Sequence, residues 1–187
     1  DKSTRTIFGD GATATLISET KGFATLDAFD WGTDGSGAKN LIVPAGGDAL
    51  PCSSETAKEQ TDDSGNIRSL NNIYMNGPEI FAFTLDTVPI TIERVLKKAS
   101  LEMGDIDFFV FHQANKFMLE TLRVKLNISE EKFIIDMKDY GNTVSSTIPI
   151  AVENARRKKL FHNGAKILLA GFGVGYSWGS AILTWKE

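Results

Sequence analysis

Apolar and polar residues alternate through Ala12-Thr13-Ala14-Thr15-Leu16-Ile17-Ser18, the two-residue period of a strand with one buried face. The turn Gly9-Asp10-Gly11 precedes it, and a second strand is predicted over residues 23–31, between Lys21-Gly22 and the glycine-rich stretch 32–37. From 44 to 72 the period is lost. Pro44, Gly46, Gly47 and Pro51 lead into a polar run over 53–66, which reads as a long surface loop, either functional or mobile. Helical spacing then begins at Asn76-Gly77-Pro78-Glu79, with proline in the first turn and an acid at the positive end of the dipole. Ile80, Phe83, Thr84, Thr87, Val88, Thr91, Val95 and Ala99 recur on one face of a helix running to about Lys98. Pro89 must kink or split that helix, because it removes an internal hydrogen bond.

Asp107-Phe108-Phe109-Val110-Phe111-His112 is an apolar run of the kind found in strands buried on both faces. A helix over 116–126, a short strand over 132–136 and a turn at Gly141-Asn142 follow. Another helix opens after Ser145 with Pro149 in its first turn, and two strands, 166–172 and 176–185, are joined by glycines. An initial hairpin followed by alternating helices and strands predicts an α/β domain, a mixed five-stranded sheet with helices on both faces. In that arrangement His112 ends one strand, Asn142 follows another and Gly173-Val174-Gly175 follow a third. All three then fall on the sheet edge where such folds bind ligands.

The chain has 187 residues, 42% hydrophobic and 24% charged, enough to bury a substantial core. No segment has the unbroken apolar length of a membrane span, and the start, Asp1-Lys2-Ser3-Thr4-Arg5, lacks a signal peptide's apolar stretch. A soluble protein with no membrane partner is expected. The single cysteine excludes an internal disulfide, and one Cys with two His falls short of a four-ligand zinc site, so no metal is expected and a reducing cytoplasm is the natural compartment. The net charge of -4 argues against a nucleic-acid partner, which requires a basic face. Arg156-Arg157-Lys158-Lys159 is the one dense basic cluster; it either complements a helix C-terminus or docks an acidic partner.

His112 and Asn142 can both donate hydrogen bonds to one oxygen, which is what a developing enolate or oxyanion requires. A nucleophile is missing. Cys52, between Pro51 and Ser53, has neither an adjacent base nor a helix start to activate it. Read singly, these residues have plainer roles: His112 in a polar cap beside Gln113 and Asn115, Asn142 as a turn residue, Asn115 as the cap of the next helix, His162 in a helix-terminal turn. The glycines of 171–175 are followed by aromatics rather than a helix, which excludes a dinucleotide loop.

Taken together, Phe8-Gly9-Asp10-Gly11-Ala12, Met75-Asn76-Gly77-Pro78-Glu79-Ile80-Phe81, His112-Gln113-Ala114-Asn115, Gly141-Asn142-Thr143 and Phe172-Gly173-Val174-Gly175-Tyr176-Ser177-Trp178-Gly179-Ser180-Ala181 stand in an order and spacing that resembles the beta-ketoacyl-acyl carrier protein synthase III family. The resemblance implies that residues 1–187 form the C-terminal half of a thiolase-like fold, without the N-terminal half that bears the family's catalytic cysteine. It implies an acyltransferase of fatty-acid or related biosynthesis that condenses an acyl-thioester starter with malonyl-acyl carrier protein as carbon dioxide leaves. His112 and Asn142 would be catalytic, and the backbone of Gly173, Val174 and Gly175 would help to hold the acyl carbonyl, with Val174 where glycine is common. Gln113 and Asn115 would orient the site or cap a helix. Phe172 occupies the position of the second cysteine of true thiolases, which favours decarboxylation over deprotonation. Arg123 and Lys125 would dock the carrier, although Phe117 stands where many members carry arginine.

By the same resemblance no cofactor is expected, coenzyme A and phosphopantetheine thioesters being substrates. The full-length protein is expected to be a cytoplasmic homodimer, and the fragment alone inactive in condensation. The alternatives are another thioester-condensing synthase of the superfamily, of quinolone or hydroxymethylglutaryl type, and a non-catalytic thioester-binding homologue.

Overall fold

The computed structural model describes residues 4–186; Asp1, Lys2, Ser3 and Glu187 lie outside them, and with them most of the start read above for a signal peptide. In chain order the elements are β1 (Ala24–Thr33), β2 (Leu41–Ile42), β3 (Gln60–Thr61), β4 (Ile67–Arg68), β5 (Tyr74–Met75), α1 (Gly77–Ala99), β6 (Phe108–Phe111), α2 (Lys116–Lys125), α3 (Thr147–Arg157), β7 (Lys166–Gly173) and β8 (Ser177–Trp185), with short 3-10 turns between them. The principal sheet has the order β1-β8-β7-β6. Only β6 and β7 run parallel; the other pairs are antiparallel.

Alternation along each strand divides the core in two. Phe109 and Phe111 of β6, Leu168 and Ala170 of β7 and Ile182 of β8 pack with Val88, Ile92 and Val95 of α1 and Leu119 and Leu122 of α2. Their neighbours Val110, Ile167 and Trp185 face the other way, onto Ala151 and Ala155 of α3. Helices therefore cover both faces, as expected for the α/β class. Helix α1 begins where the sequence places it: Asn76 caps it by accepting from the Glu79 N–H at 3.4 Å, with proline in the first turn. It passes through Pro89 as one continuous helix, and a left-handed Ser100 (φ 54°) ends it.

The sheet has four strands rather than five. Residues 132–136 contribute one parallel bridge, Phe109 to Phe133, and one following bond from Ile134 N–H to Phe109 O at 2.9 Å, too little for a strand. The predicted opening hairpin is also absent. Strand β1 pairs with β8 from the other end of the chain, and residues 12–18 run without a sheet partner, Leu16 and Ile17 each 87% exposed. Alternation marks a segment able to join a sheet, but without a neighbouring strand its backbone groups stay with water. The loop 44–72 has more order than its composition suggests, since β3 pairs with β4 inside it and Leu70 N–H donates to Thr56 O at 3.0 Å.

Candidate active site

Parallel pairing brings the carboxyl ends of β6 and β7 to one edge. The ladder extends one residue further, His112 N–H donating to Ala170 O at 2.8 Å, so the imidazole stands just beyond the last strand residue. Asn142 reaches the same edge by a different device. The segment before residue 10 runs alongside it: Asn142 N–H donates to Ile7 O and Gly9 N–H to Asn142 O, both at 3.0 Å. Gly9 is required there because a Cβ would lie 1.9 Å from the Tyr140 carbonyl oxygen. Gly9, expected in a turn before a strand, instead belongs to this strut beside Asn142.

The Gly141-Asn142 turn uses left-handed backbone at Gly141 (φ 66°) and again at Val144 (φ 56°). For a β-branched residue that conformation is strained, and such strain persists only where the surroundings hold it. Here the Val144 N–H donates to Asn142 Oδ1 at 2.9 Å, which fixes the carboxamide with its oxygen occupied. Among the described residues its Nδ2 meets no acceptor.

His112 is held from behind, its Nδ1 lying 2.7 Å from the Thr147 hydroxyl at the start of α3 and its ring edge-on to Phe172 at 5.5 Å. Burial pushes the imidazole pKa down from 6.5 to about 4, the Val144 backbone beside the ring opposing the shift. His112 is therefore neutral at pH 7. It shares with Asn142 a cleft of about 510 Å³ whose walls are largely apolar: Phe8, Leu41, Ile80, Phe81, Met118, Ile148, Phe172 and Trp178. An apolar cleft that holds a neutral imidazole and a carboxamide suits a thioester whose carbonyl oxygen gains charge during reaction.

The other expected site residues separate into groups. Gly173 and Val174 line the cleft, and Gly175 does not; it sits behind the turn, where a Cβ would meet the Ser177 side chain at 2.4 Å. Asn115 lines the cleft and caps α2, accepting from Met118 N–H at 2.8 Å. Gln113 is buried and turned away. Its amide donates to Phe111 O at 2.6 Å and its oxygen accepts from Asp136 N–H at 2.8 Å, so it ties the end of β6 to the segment leading to Asn142. Cys52 is exposed on the loop 44–72 and does not line the cleft.

The basic candidates are largely engaged within the chain. Arg123 donates to Glu120 at 2.8 Å and to Ile128 O at 3.0 Å, while Lys125 beside it is exposed. Arg156 and Arg157 both bond Glu153 and hold its carboxyl down at about 2. Phe117 is exposed and stacks on Phe81 of the cleft wall, ring centres 5.5 Å apart. Among the described residues no group of three His, Cys, Asp or Glu side chains could hold a metal ion, and no helix is long and apolar enough to cross a membrane.

The chain is similar to known proteins over its whole length. Residues 96–185 match the family model described as 3-Oxoacyl-[acyl-carrier-protein (ACP)] synthase III C terminal. The chain is 35% identical over 188 residues to beta-ketoacyl-[acyl-carrier-protein] synthase III of Caldanaerobacter subterraneus subsp. tengcongensis, covering 100% of this chain and 54% of that one. It is 37% identical over 183 residues to the protein of the same name from Campylobacter concisus, covering 98% and 52%. A crystal structure of 3-oxoacyl-(acyl-carrier-protein) synthase III superposes with a TM-score of 0.88 at 44% identity, over 99% of this chain and 55% of that one. The Thermus thermophilus synthase III gives 0.77 at 31%, over 99% and 54%. The chain thus spans about half the length of the relatives it matches. In sequence and fold the chain is similar to one half of beta-ketoacyl-[acyl-carrier-protein] synthase III, with residues 96–185 matching the C-terminal part of that family.

Proposed function

We propose that this chain supplies the decarboxylating half of a beta-ketoacyl-acyl carrier protein synthase III, an acyltransferase that starts fatty-acid or related biosynthesis. The remainder of the enzyme would contribute the nucleophile that takes the acyl group from its thioester. Covalent capture of that kind divides the reaction into acyl transfer and carbon–carbon bond formation. In the second step the bond to the malonyl carboxylate breaks, carbon dioxide leaves and the electron pair becomes an enolate on the thioester. His112 and Asn142 would each donate one hydrogen bond to the enolate oxygen. The enolate carbon then attacks the captured acyl carbonyl. No carbon-bound proton has to be removed, which suits a neutral imidazole better than a base.

One observation carries the reading: His112 and Asn142 line the same apolar cleft, the asparagine oxygen already occupied by Val144 N–H. The substrates would be coenzyme A and phosphopantetheine thioesters, with no resident cofactor, the full-length enzyme a cytoplasmic homodimer, and this chain alone inactive in condensation. In the full-length protein, His112→Asn and Asn142→Ala are each expected to lower malonyl-thioester decarboxylation by about 10²–10³-fold while acyl capture continues. Decarboxylation at the parental rate in both variants would remove the proposal.

A second reading has support from the rim of the cleft. With Phe117 in place of a cation and Arg123 engaged by Glu120, the carrier-docking surface is thin, and this favours a sister synthase working on coenzyme A thioesters. Competition between malonyl-coenzyme A and malonyl-acyl carrier protein on the full-length enzyme separates the two.

A further inference from the structure

The donor role of His112 depends on which ring nitrogen carries the proton, and the surroundings of Nδ1 decide that. A neutral imidazole has one N–H, and the hydrogen bond made by one nitrogen sets the state of the other. The Thr147 hydroxyl lies 2.7 Å from Nδ1 and 2.9 Å from the carbonyl oxygen of Val144, with a single proton to give. If that proton goes to Val144, Nδ1 must carry the ring proton, and a bare Nε2 faces the cleft. If it goes to Nδ1, Nε2 bears the hydrogen and can donate to substrate. The Val144 oxygen does not depend on the hydroxyl, because the backbone N–H of Thr147 already donates to it. Among the described residues Thr147 is the one side chain that hydrogen-bonds Nδ1, with the Val144 backbone also beside the ring.

We infer that the Thr147 hydroxyl donates to His112 Nδ1 and thereby holds the imidazole in the Nε2–H form, making Thr147 a positioning residue for the donor that faces the cleft. This rests on the enolate reading above. The placement suits the task. Thr147 is nearly fully buried, it begins α3, and it follows directly on the 3-10 turn that starts at Val144, whose N–H orients Asn142. One short segment, residues 142–147, therefore sets both donors, the asparagine through a backbone N–H and the histidine through a side-chain hydroxyl.

The test uses the full-length protein with histidine labelled in the ring with ¹⁵N, His112 being assigned by its loss in His112→Asn. In the parent, Nε2 should give the protonated signal and Nδ1 the bare one. Thr147→Val keeps the shape and removes the hydroxyl; it should mix or invert those signals and lower kcat for malonyl-thioester decarboxylation by about 10–100-fold with little change in KM. Thr147→Ser, which restores the hydroxyl, should recover the parental signals and most of the rate. A parental Nδ1–H signal, or unchanged signals in Thr147→Val, overturns the inference. The enolate reading fails by a separate result: undiminished decarboxylation in His112→Asn, whatever the signals show.

Discussion

The two faces of the sheet carry similar apolar alternation and meet different fates. On one, α1 packs across β1, β7 and β8, and side chains such as Ile92, Phe111 and Leu168 are almost wholly removed from water. On the other, α3 packs on β6, and the edge strand β1 stays open: Phe29 is 56% and Trp31 70% exposed. Hydrophobic stabilisation scales with area removed from water, so equal residues on these faces contribute unequally. Alternation records which positions are built for burial. It does not record whether a cover is present.

Truncation on the two faces tests the contrast most strongly. Leu168→Ala, under α1, is expected to cost about 2–5 kcal/mol by urea unfolding, the range for a buried leucine, and Phe29→Ala no more than about 0.5 kcal/mol. Equal losses would mean that the open face is buried in solution. A smaller effect lies at the Lys98–Asp30 ion pair of the covered face. There Asp30, buried, receives Lys98 at 2.8 Å and the Thr91 hydroxyl at 3.0 Å. Burial works to raise its pKa, but the bonds from Lys98 and Thr91 outweigh this and lower it. Lys98→Met should cost about 1–2 kcal/mol at pH 7, a modest figure because Lys98 is half exposed. The depressed carboxyl contributes in full above the ordinary carboxylate range and loses that contribution as pH falls through its folded pKa, so the variant and parent should converge in acid.

Association sharpens the comparison from the other side. An apolar patch of this kind favours self-association, and Phe29→Ser with Trp31→Ser should weaken the self-association expected of this chain at least about tenfold in sedimentation equilibrium, equivalent to about 1.4 kcal/mol. A parental chain that sediments as a monomer and binds little hydrophobic dye would defeat the expectation. An effect that appears only on acidification belongs to His112, at the rim where the two faces meet. Its pKa is near 4 in the folded chain against an ordinary 6.5, so the unfolded chain takes up a proton first as pH falls. Stability from this group is full above about pH 6.5 and declines from there toward pH 4. His112→Asn should flatten that part of the stability profile, and an NMR titration of the parental ring should have its midpoint well below 6.5.

Much of the site was legible because it is built from local signals. Proline and glutamate in the first turn located α1, the apolar run before His112 located β6, and the glycines of 171–175 separated β7 from β8. Two strands ending together then implied that His112 and Gly173 share an edge. Gln113 shows the limit: neighbouring His112 in sequence, it points away and bonds Phe111 and Asp136. Arg123 shows it again, since a cation on an exposed-looking helix turn is occupied by Glu120 and Ile128.

The sequence by itself determined the periods, the turns and the chemical types, and so the class of fold and the histidine–asparagine pair at the edge that lines the cleft. Tertiary structure alone decided that β1 pairs with β8, that residues 12–18 have no strand beside them, and that Thr147 meets His112 across 35 positions of chain. Periodicity and capping are satisfied within a few residues. A strand's partner, a helix's cover and a hydroxyl's acceptor are supplied by distant chain, and they exist only once the fold has brought it near.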